Sequence, residues 1–279
     1  MIRRLAGPLT VIVTILAGVP LLLLLLVPRE AAMQVDVDKR FSAPSADAIL
    51  GTDHLGRDVA TRLAYGTGLS LRAAAVSLTV ALSLALILGA LSGGRPHSLA
   101  SFVIDSTASL LLVVPFFLLA VAAAAVLEPG LETTYLLVGL TIWPAPARLV
   151  RAEVTQLRRS RFVLAEQAFG FGQLEILRRS YLPLTLLPPL LSLTLMMPEL
   201  LAVDVGLSFF GLGAQPSTPT LGRLVFQGLM DARQAWWTAA FPLATLFGVC
   251  LAVNAGAQAL ARRVHGAYGG ARNGGGTNV

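Results

Sequence analysis

Apolar residues gather in six blocks along the chain, at residues 9–27, 69–92, 102–127, 131–150, 184–206 and 239–261. Each is close to the roughly 20 apolar residues that a helix needs to cross the hydrocarbon core of a bilayer. The pattern predicts six membrane-spanning helices and an all-α integral membrane protein. Pro20, Pro115, Pro144, Pro146, Pro188, Pro189 and Pro198 fall inside these blocks. Proline leaves backbone carbonyls without an N–H partner, which membrane helices tolerate where neighbours or a water-filled cavity satisfy them. The prolines therefore mark either packing kinks or bends around a substrate path, and the sequence leaves both readings open.

The longest polar interruption runs from Arg148 to Pro183, RLVRAEVTQLRRSRFVLAEQAFGFGQLEILRRSYLP. It holds seven arginines, at 148, 151, 158, 159, 161, 178 and 179, against Glu153, Glu166 and Glu175. The pattern predicts one helix over 154–169 and a second over 173–181. Gly170 and Gly172 form the joint, because glycine accepts a positive φ or a close approach. Two helices meeting at such a joint make a compact knob. Phe171 is the expected apolar anchor for a partner's pocket. The alternative is an amphipathic loop lying on lipid headgroups.

Charge orients the spans. With the N-terminus inside, inner segments hold Arg3, Arg4, Arg95, the seven arginines of the insert, Arg262, Arg263 and Arg272, thirteen of the 21 basic residues. The short segment LEPGLETT between the third and fourth blocks has none. Basic residues favour the cytoplasmic side, so both termini are expected in the cytoplasm and the chain is placed in the plasma (inner) membrane as a multi-pass protein. Arg3 and Arg4 precede an apolar run too long for a signal peptide, and the first block is read as a retained span. The expected divisions are an N-terminal membrane helix (1–28), an extracytoplasmic segment (29–68), a transmembrane domain (69–262) with an insert at 151–183, and a disordered Gly-rich cytoplasmic tail (263–279).

Composition agrees with a membrane protein: 55% of residues are hydrophobic and 13% charged, against about a quarter charged in soluble domains. The net charge of +6 follows from the inner-face bias, and no nucleic-acid partner is expected. Cys250 is the sole cysteine, so no disulfide or Cys/His metal spacing exists. The chain lacks GxxxxGK[ST], GxSxG and HExxH. It is not expected to be an enzyme, to bind ATP or to hold a metal or cofactor. His54 beside Asp53 is too isolated to indicate a metal site.

Three motifs resemble one family. LAEQAFGFGQLEILRRSYLP resembles the EAA loop of ABC-importer permeases, a pattern E-A-A-x-x-x-G followed by an isoleucine and Leu-Pro. The matching residues are Ala165, Glu166, Ala168, Gly170, Ile176, Leu177, Leu182 and Pro183. Leu164 stands where the pattern has an acid, Glu166 where it has alanine, and Ser180 where histidine is common. Residues 49–71, ILGTDHLGRDVATRLAYGTGLSL, resemble the signature G-T-D-x-x-G-R-D of the C-type permeases of dipeptide, oligopeptide and nickel importers. Residues 207–228, LSFFGLGAQPSTPTLGRLVFQG, resemble a further segment of that subfamily, with Leu221 in place of tryptophan.

The resemblance implies a type I ABC importer permease architecture. It also implies a second permease of the same family, two ATPase subunits carrying ATP and magnesium, and an extracytoplasmic solute-binding protein. Ala165, Glu166, Ala168, Gly170, Phe171, Gly172, Gln173, Ile176, Leu177 and Pro183 would couple this chain to an ATPase. Gly51, Thr52, Asp53, Gly56, Arg57, Asp58 and Arg62 carry the outer signature. Asp53 with Arg57, and Asp58 with Arg62, stand at the i,i+4 spacing of ion pairs, and are read as a structural network, with substrate contact as the alternative. Phe209 and Phe210 are candidates for a gate or seal. Acids near a span are functional candidates, so Glu199 and Asp204 face either a substrate or water. The competing classes are an ion-gradient-driven secondary transporter, for which Asp105 is the one intramembrane acid available, and a non-transporting membrane scaffold.

Overall fold

A computed structural model describes the backbone of residues 18–115, 117–119, 121–122, 130–210, 215 and 217–273, with side chains described up to residue 262 except Leu260. The expectations for residues 1–17, for the end of the third block, for part of LEPGLETT, for residues 211–214 and for the tail side chains lie outside the described residues. The described helices are α1 (Val19–Leu26), α2 (Arg29–Met33), α3 (Val59–Gly94), α4 (Leu99–Val113), α5 (Leu131–Ile142), α6 (Pro144–Leu157), α7 (Arg161–Ala168), α8 (Gln173–Ile176), α9 (Leu182–Thr185), α10 (Leu187–Leu195), α11 (Met197–Phe209), α12 (Leu221–Asp231) and α13 (Trp236–Asn273). Among the described residues the only β-type pairing is the isolated bridge Thr52–Asp58.

Among the described residues, three stretches are long and apolar enough to cross a membrane: Val59–Gly94, Leu187–Phe209 and Trp236–Ala259. Leu99–Val113 is a shorter apolar helix. Helix α3 has 36 residues, a length of about 54 Å, well beyond the roughly 30 Å of hydrocarbon. It begins ten residues before the apolar block because Asp58 caps it. The Asp58 carboxylate accepts the N–H of Thr61 at 2.9 Å, which satisfies a first-turn donor. In the fourth block the chain passes from α5 to α6 at Trp143, whose φ of −61° and ψ of −24° remain helical. In the fifth block, breaks precede Pro188 and Pro198, where the missing N–H interrupts the ladder.

The chain forms two compact units. The first comprises Met1–Arg72, Met197–Val205 and Pro216–Val279. Its core joins Val59, Ala235 and Trp237 with Phe41, Leu50 and Phe241, and Leu63, Leu221 and Leu224 with Leu246. Helices α12 and α13 pack against each other. Their approach depends on Gly228, where a Cβ would lie 1.9 Å from the Thr238 carbonyl oxygen. Replacement of Gly228 by valine is therefore expected to cost about 3 kcal/mol or more, since backbone rather than a movable side chain is in the way. Thermal unfolding in detergent measures this, and a melting point within a degree of wild type would show that the two helices can part freely.

The second unit comprises Ala73–Met196 and Gly206–Gln215. Gly89 and Gly93 of α3 let it lie against α6, since a Cβ there would sit 2.5 Å from the Ala147 oxygen and 2.8 Å from the Arg151 oxygen. Small residues permit such close backbone contact between membrane helices. Helix α6 also packs on α4 and α10.

Candidate functional site

The basic insert is a set of short helices laid on a core. Val163, Ile176 and Tyr181 bury themselves with Ala90, Val150 and Val154, and Leu177, Leu182 and Phe171 pack at the edge. The single helix expected over 154–169 is in fact two. Helix α6 ends at Leu157 and α7 begins at Arg161. Ser160 adopts extended geometry, φ −74° and ψ 146°, and its hydroxyl donates to the Leu157 carbonyl. Such a local side-chain bond competes with helical continuation. The second expected helix, 173–181, is an α-turn over Gln173–Ile176 continued by a wider π-turn over Leu177–Tyr181.

Gly170 ends α7 with φ +82°. Its N–H donates to the Gln167 carbonyl at 3.0 Å, and the Phe171 N–H donates to the Glu166 carbonyl at 3.1 Å. This pair of bonds is a Schellman closure, which places a left-handed residue just past the helix. Nothing lies within 4 Å of a Cβ built at Gly170 or Gly172, so backbone conformation, not crowding, requires glycine at 170. Across the joint, the Ser180 hydroxyl lies 2.7 Å and 2.9 Å from the two carboxylate oxygens of Glu166. Two of the three departures from the EAA pattern, Glu166 and Ser180, thus bond each other and latch α7 to the turn after α8. Gln173 accepts from Arg95 Nε at 2.5 Å.

One expected anchor needs correction. Phe171 is half-buried, packed against the insert's own core, with Arg179 5.4 Å above its ring. The exposed ring is Phe169, at 84%. It stands at the joint, with Leu174 exposed just past it and Phe162 and Leu164 exposed along α7, while Ala165, Ala168 and Pro183 are also exposed. Contiguous exposed apolar residues mark an interaction surface. Ile176, at 3% exposure, holds the insert in place instead of presenting it.

The signature GTDHLGRD forms a buried hub. Asp53 Oδ2 accepts from Arg57 Nε at 2.8 Å and from Arg62 Nη1, while Oδ1 accepts the N–H groups of Leu55 at 2.8 Å and Arg57 at 3.0 Å. Burial raises the Asp53 pKa, but the Arg62 and Arg57 guanidiniums and the two backbone N–H groups outweigh it, and the net shift is below the ordinary value. The expected Asp53–Arg57 pair is present. The expected Asp58–Arg62 pair is absent, because Asp58 caps α3 and Arg62 turns to Asp53 and to Gln227 Oε1 at 3.2 Å. Gly51 and Gly56 have φ of 75° and 72°; at Gly56 a Cβ would fall 1.6 Å from the Asp36 oxygen. Thr52 accepts the Ser42 N–H at 2.8 Å on its hydroxyl and the Trp237 indole N–H at 3.1 Å on its carbonyl. His54 Nδ1 lies 2.8 Å from Asp231 Oδ2.

The third group divides. Phe209 and Phe210 are 48% and 64% exposed, and the Phe210 ring lies 6.0 Å from that of Phe117. Glu199 is exposed. Asp204, for which the sequence leaves substrate and water open, is buried. It is 3% exposed, accepts the Gly222 N–H at 3.1 Å, and is hydrogen-bonded by the Thr220 and Ser70 side chains. Ser70 also accepts the Leu221 N–H at 2.9 Å. Asp204 therefore fastens α11 and α3 to the start of α12. Phe169, Gln227, Asp231 and Trp237 escaped the sequence reading. The last three meet their partners across more than 160 residues of chain, which no local spacing reveals; Phe169 was legible only as a neighbour of the Gly170 joint.

Residues 85–266 match the family model described as binding-protein-dependent transport system inner membrane component. Among similar proteins, the di/tripeptide transport system permease protein DppC of Pseudomonas aeruginosa is 36% identical over 207 residues, covering 74% of this chain and 68% of its own. The dipeptide transport system permease protein DppC of Alkalihalophilus pseudofirmus is 31% identical over 82% of this chain and 75% of its own. The glutathione transport system permease protein GsiD of Pectobacterium atrosepticum is 31% identical over 87% of this chain and 83% of its own. The helical, apolar chain with its jointed basic insert belongs to the family of binding-protein-dependent inner membrane transport components, and is a multi-pass permease subunit of an ABC importer.

Proposed function

We propose that this chain is the C-type permease of an importer of short peptides, and that it couples to an ATPase through residues 164–182. The observation that carries the coupling is the Gly170 joint with Phe169 exposed beside it. The peptide class rests on the names of the relatives, which include di/tripeptide, dipeptide and glutathione permeases. In this reading a second permease of the same family completes the translocation path. Two ATPase subunits bind ATP and magnesium, and an extracytoplasmic binding protein delivers the peptide. Closure of the ATPases pushes the insert, and the spans alternate between outward and inward openings. Phe209 and Phe210 suit the seal between the two permeases, because they are large, apolar and exposed.

The uptake experiment uses proteoliposomes of the whole complex with labelled dialanine. Uptake is expected to need ATP and the loaded binding protein, and to persist when an ionophore collapses ion gradients. Uptake without ATP that the ionophore abolishes would instead identify a secondary transporter.

The topology we propose has six spans with both termini in the cytoplasm. It rests on the thirteen inner basic residues and on the absence of any in LEPGLETT. Single cysteines at exposed Glu132 and Arg159, with Cys250 replaced, are expected to react with an impermeant thiol reagent from opposite sides. Labelling of both from one side contradicts the topology.

A further inference from the structure

Asp105 lies in the middle of α4, an apolar helix of 15 residues. Its carboxylate accepts from Ser92 Oγ at 2.8 Å and Ser101 Oγ at 3.1 Å, and pairs with Arg151 of α6. One turn earlier on α6, Arg148 Nη2 donates to Ser109 Oγ at 3.0 Å. Ser109 in turn donates to the Asp105 carbonyl at 2.7 Å. Phe102, Asp105, Ser106, Ser109 and Leu110 line a shallow, open groove along α4, and Arg148 reaches its edge through the bond to Ser109. The charges do not cancel. Asp105 is satisfied by Arg151 and two hydroxyls, whereas Arg148 has a hydroxyl and, among the described residues, no carboxylate within ion-pair distance. Ionisable groups within apolar spans pair with one another or face the bundle interior or water, and are functional candidates by default. A guanidinium is matched to a carboxylate, which it can grip with two parallel N–H bonds.

We propose that Arg148, with Ser109, takes the C-terminal carboxylate of a peptide as it passes through this permease. Asp105, Ser92, Ser101 and Arg151 are positioning residues that brace α4 against α3 and α6, while Arg148 keeps only the Ser109 hydroxyl at the edge of the groove. The inference rests on the reading of the substrate as a peptide.

The test compares dialanine with dialanine amide, which lacks the carboxylate, in proteoliposomes of the complete importer with binding protein saturated by each peptide. Comparing variant with wild type under the same loading removes the binding protein's own selectivity. Arg148→Gln is expected to lower the acid-to-amide uptake ratio roughly tenfold, the size of a hydrogen bond to a charged group. Arg148→Lys is expected to restore part of it, because charge returns without the fork. Ser109→Ala, a small change at an exposed site, is expected to lower the ratio about threefold and reads the proposal even if Arg148→Gln fails to assemble. Equal loss for both peptides in Arg148→Gln, or an unchanged ratio in Ser109→Ala, overturns the proposal. Wild-type complex that moves neither peptide overturns the peptide reading instead, before any variant is made.

Discussion

Asp53→Asn is expected to destabilise the protein by about 3–5 kcal/mol, because it leaves the buried Arg57 and Arg62 without their shared counter-charge. Both arginines are under 10% exposed, and both aim at one carboxylate oxygen. Asparagine keeps an acceptor for the Leu55 and Arg57 N–H groups, so the loss is one of charge more than of turn geometry. The measurement is thermal unfolding in detergent at neutral pH, with Asp53→Asn melting several degrees below wild type. The pH dependence has a definite sign. The folded pKa of Asp53 lies below the ordinary 3.8, so its stabilising contribution is complete above that value and is lost only as pH falls through the lower folded one. The gap between wild type and Asp53→Asn is therefore expected to hold constant from pH 7 to 5 and to close only in strong acid. A variant as stable as wild type at pH 7 would mean that the arginines find other partners.

Gly170→Leu is expected to abolish coupled transport while leaving the protein in the membrane. No atom blocks a side chain there, so the variant is not refused by packing. The conflict is with φ +82°, a conformation that costs a branched or bulky residue roughly 1–3 kcal/mol and that the Schellman closure requires. Relief of that strain turns α8 relative to α7 and moves the exposed rings. Gly170→Asn is the control, because asparagine enters the left-handed region more readily, and it is expected to retain most uptake. Substrate-stimulated ATP hydrolysis and uptake are the readouts. Equal activity of the leucine and asparagine variants would separate the joint's geometry from coupling.

The parts of this protein that sequence made legible are those that depend on local periodicity or on contiguous motifs. The apolar blocks at 69–92 and 239–261 became long apolar helices, 184–206 became an apolar stretch of shorter helices broken at its prolines, and the joint at Gly170 was readable because glycine takes a positive φ without strain. Helix α3 begins ten residues before its apolar block because a polar cap, Asp58, extends it beyond the apolar stretch. The partner of Arg62 was misassigned for a related reason: spacing along a helix proposes Asp58, but burial beside Asp53 decides. Phe171 and Phe169 differ by two residues and by the turn between them, so the one that faces outward follows from the Schellman geometry and not from composition. Asp204 read as an acid near a span, yet three donors from Ser70, Thr220 and Gly222 close over it. Such long-range satisfaction cannot be seen in spacing.

Coupling through the insert is tested most directly at Phe169, whose ring is 84% exposed and whose removal leaves the insert's core untouched. In the purified complex, Phe169→Ala is expected to melt like wild type but to weaken association with the ATPase subunits by about 2 kcal/mol or more, the loss typical of a central aromatic anchor, and to lower binding-protein-stimulated ATP hydrolysis and uptake together. Wild-type ATPase association and wild-type stimulated hydrolysis in Phe169→Ala would contradict the assignment of this surface to coupling.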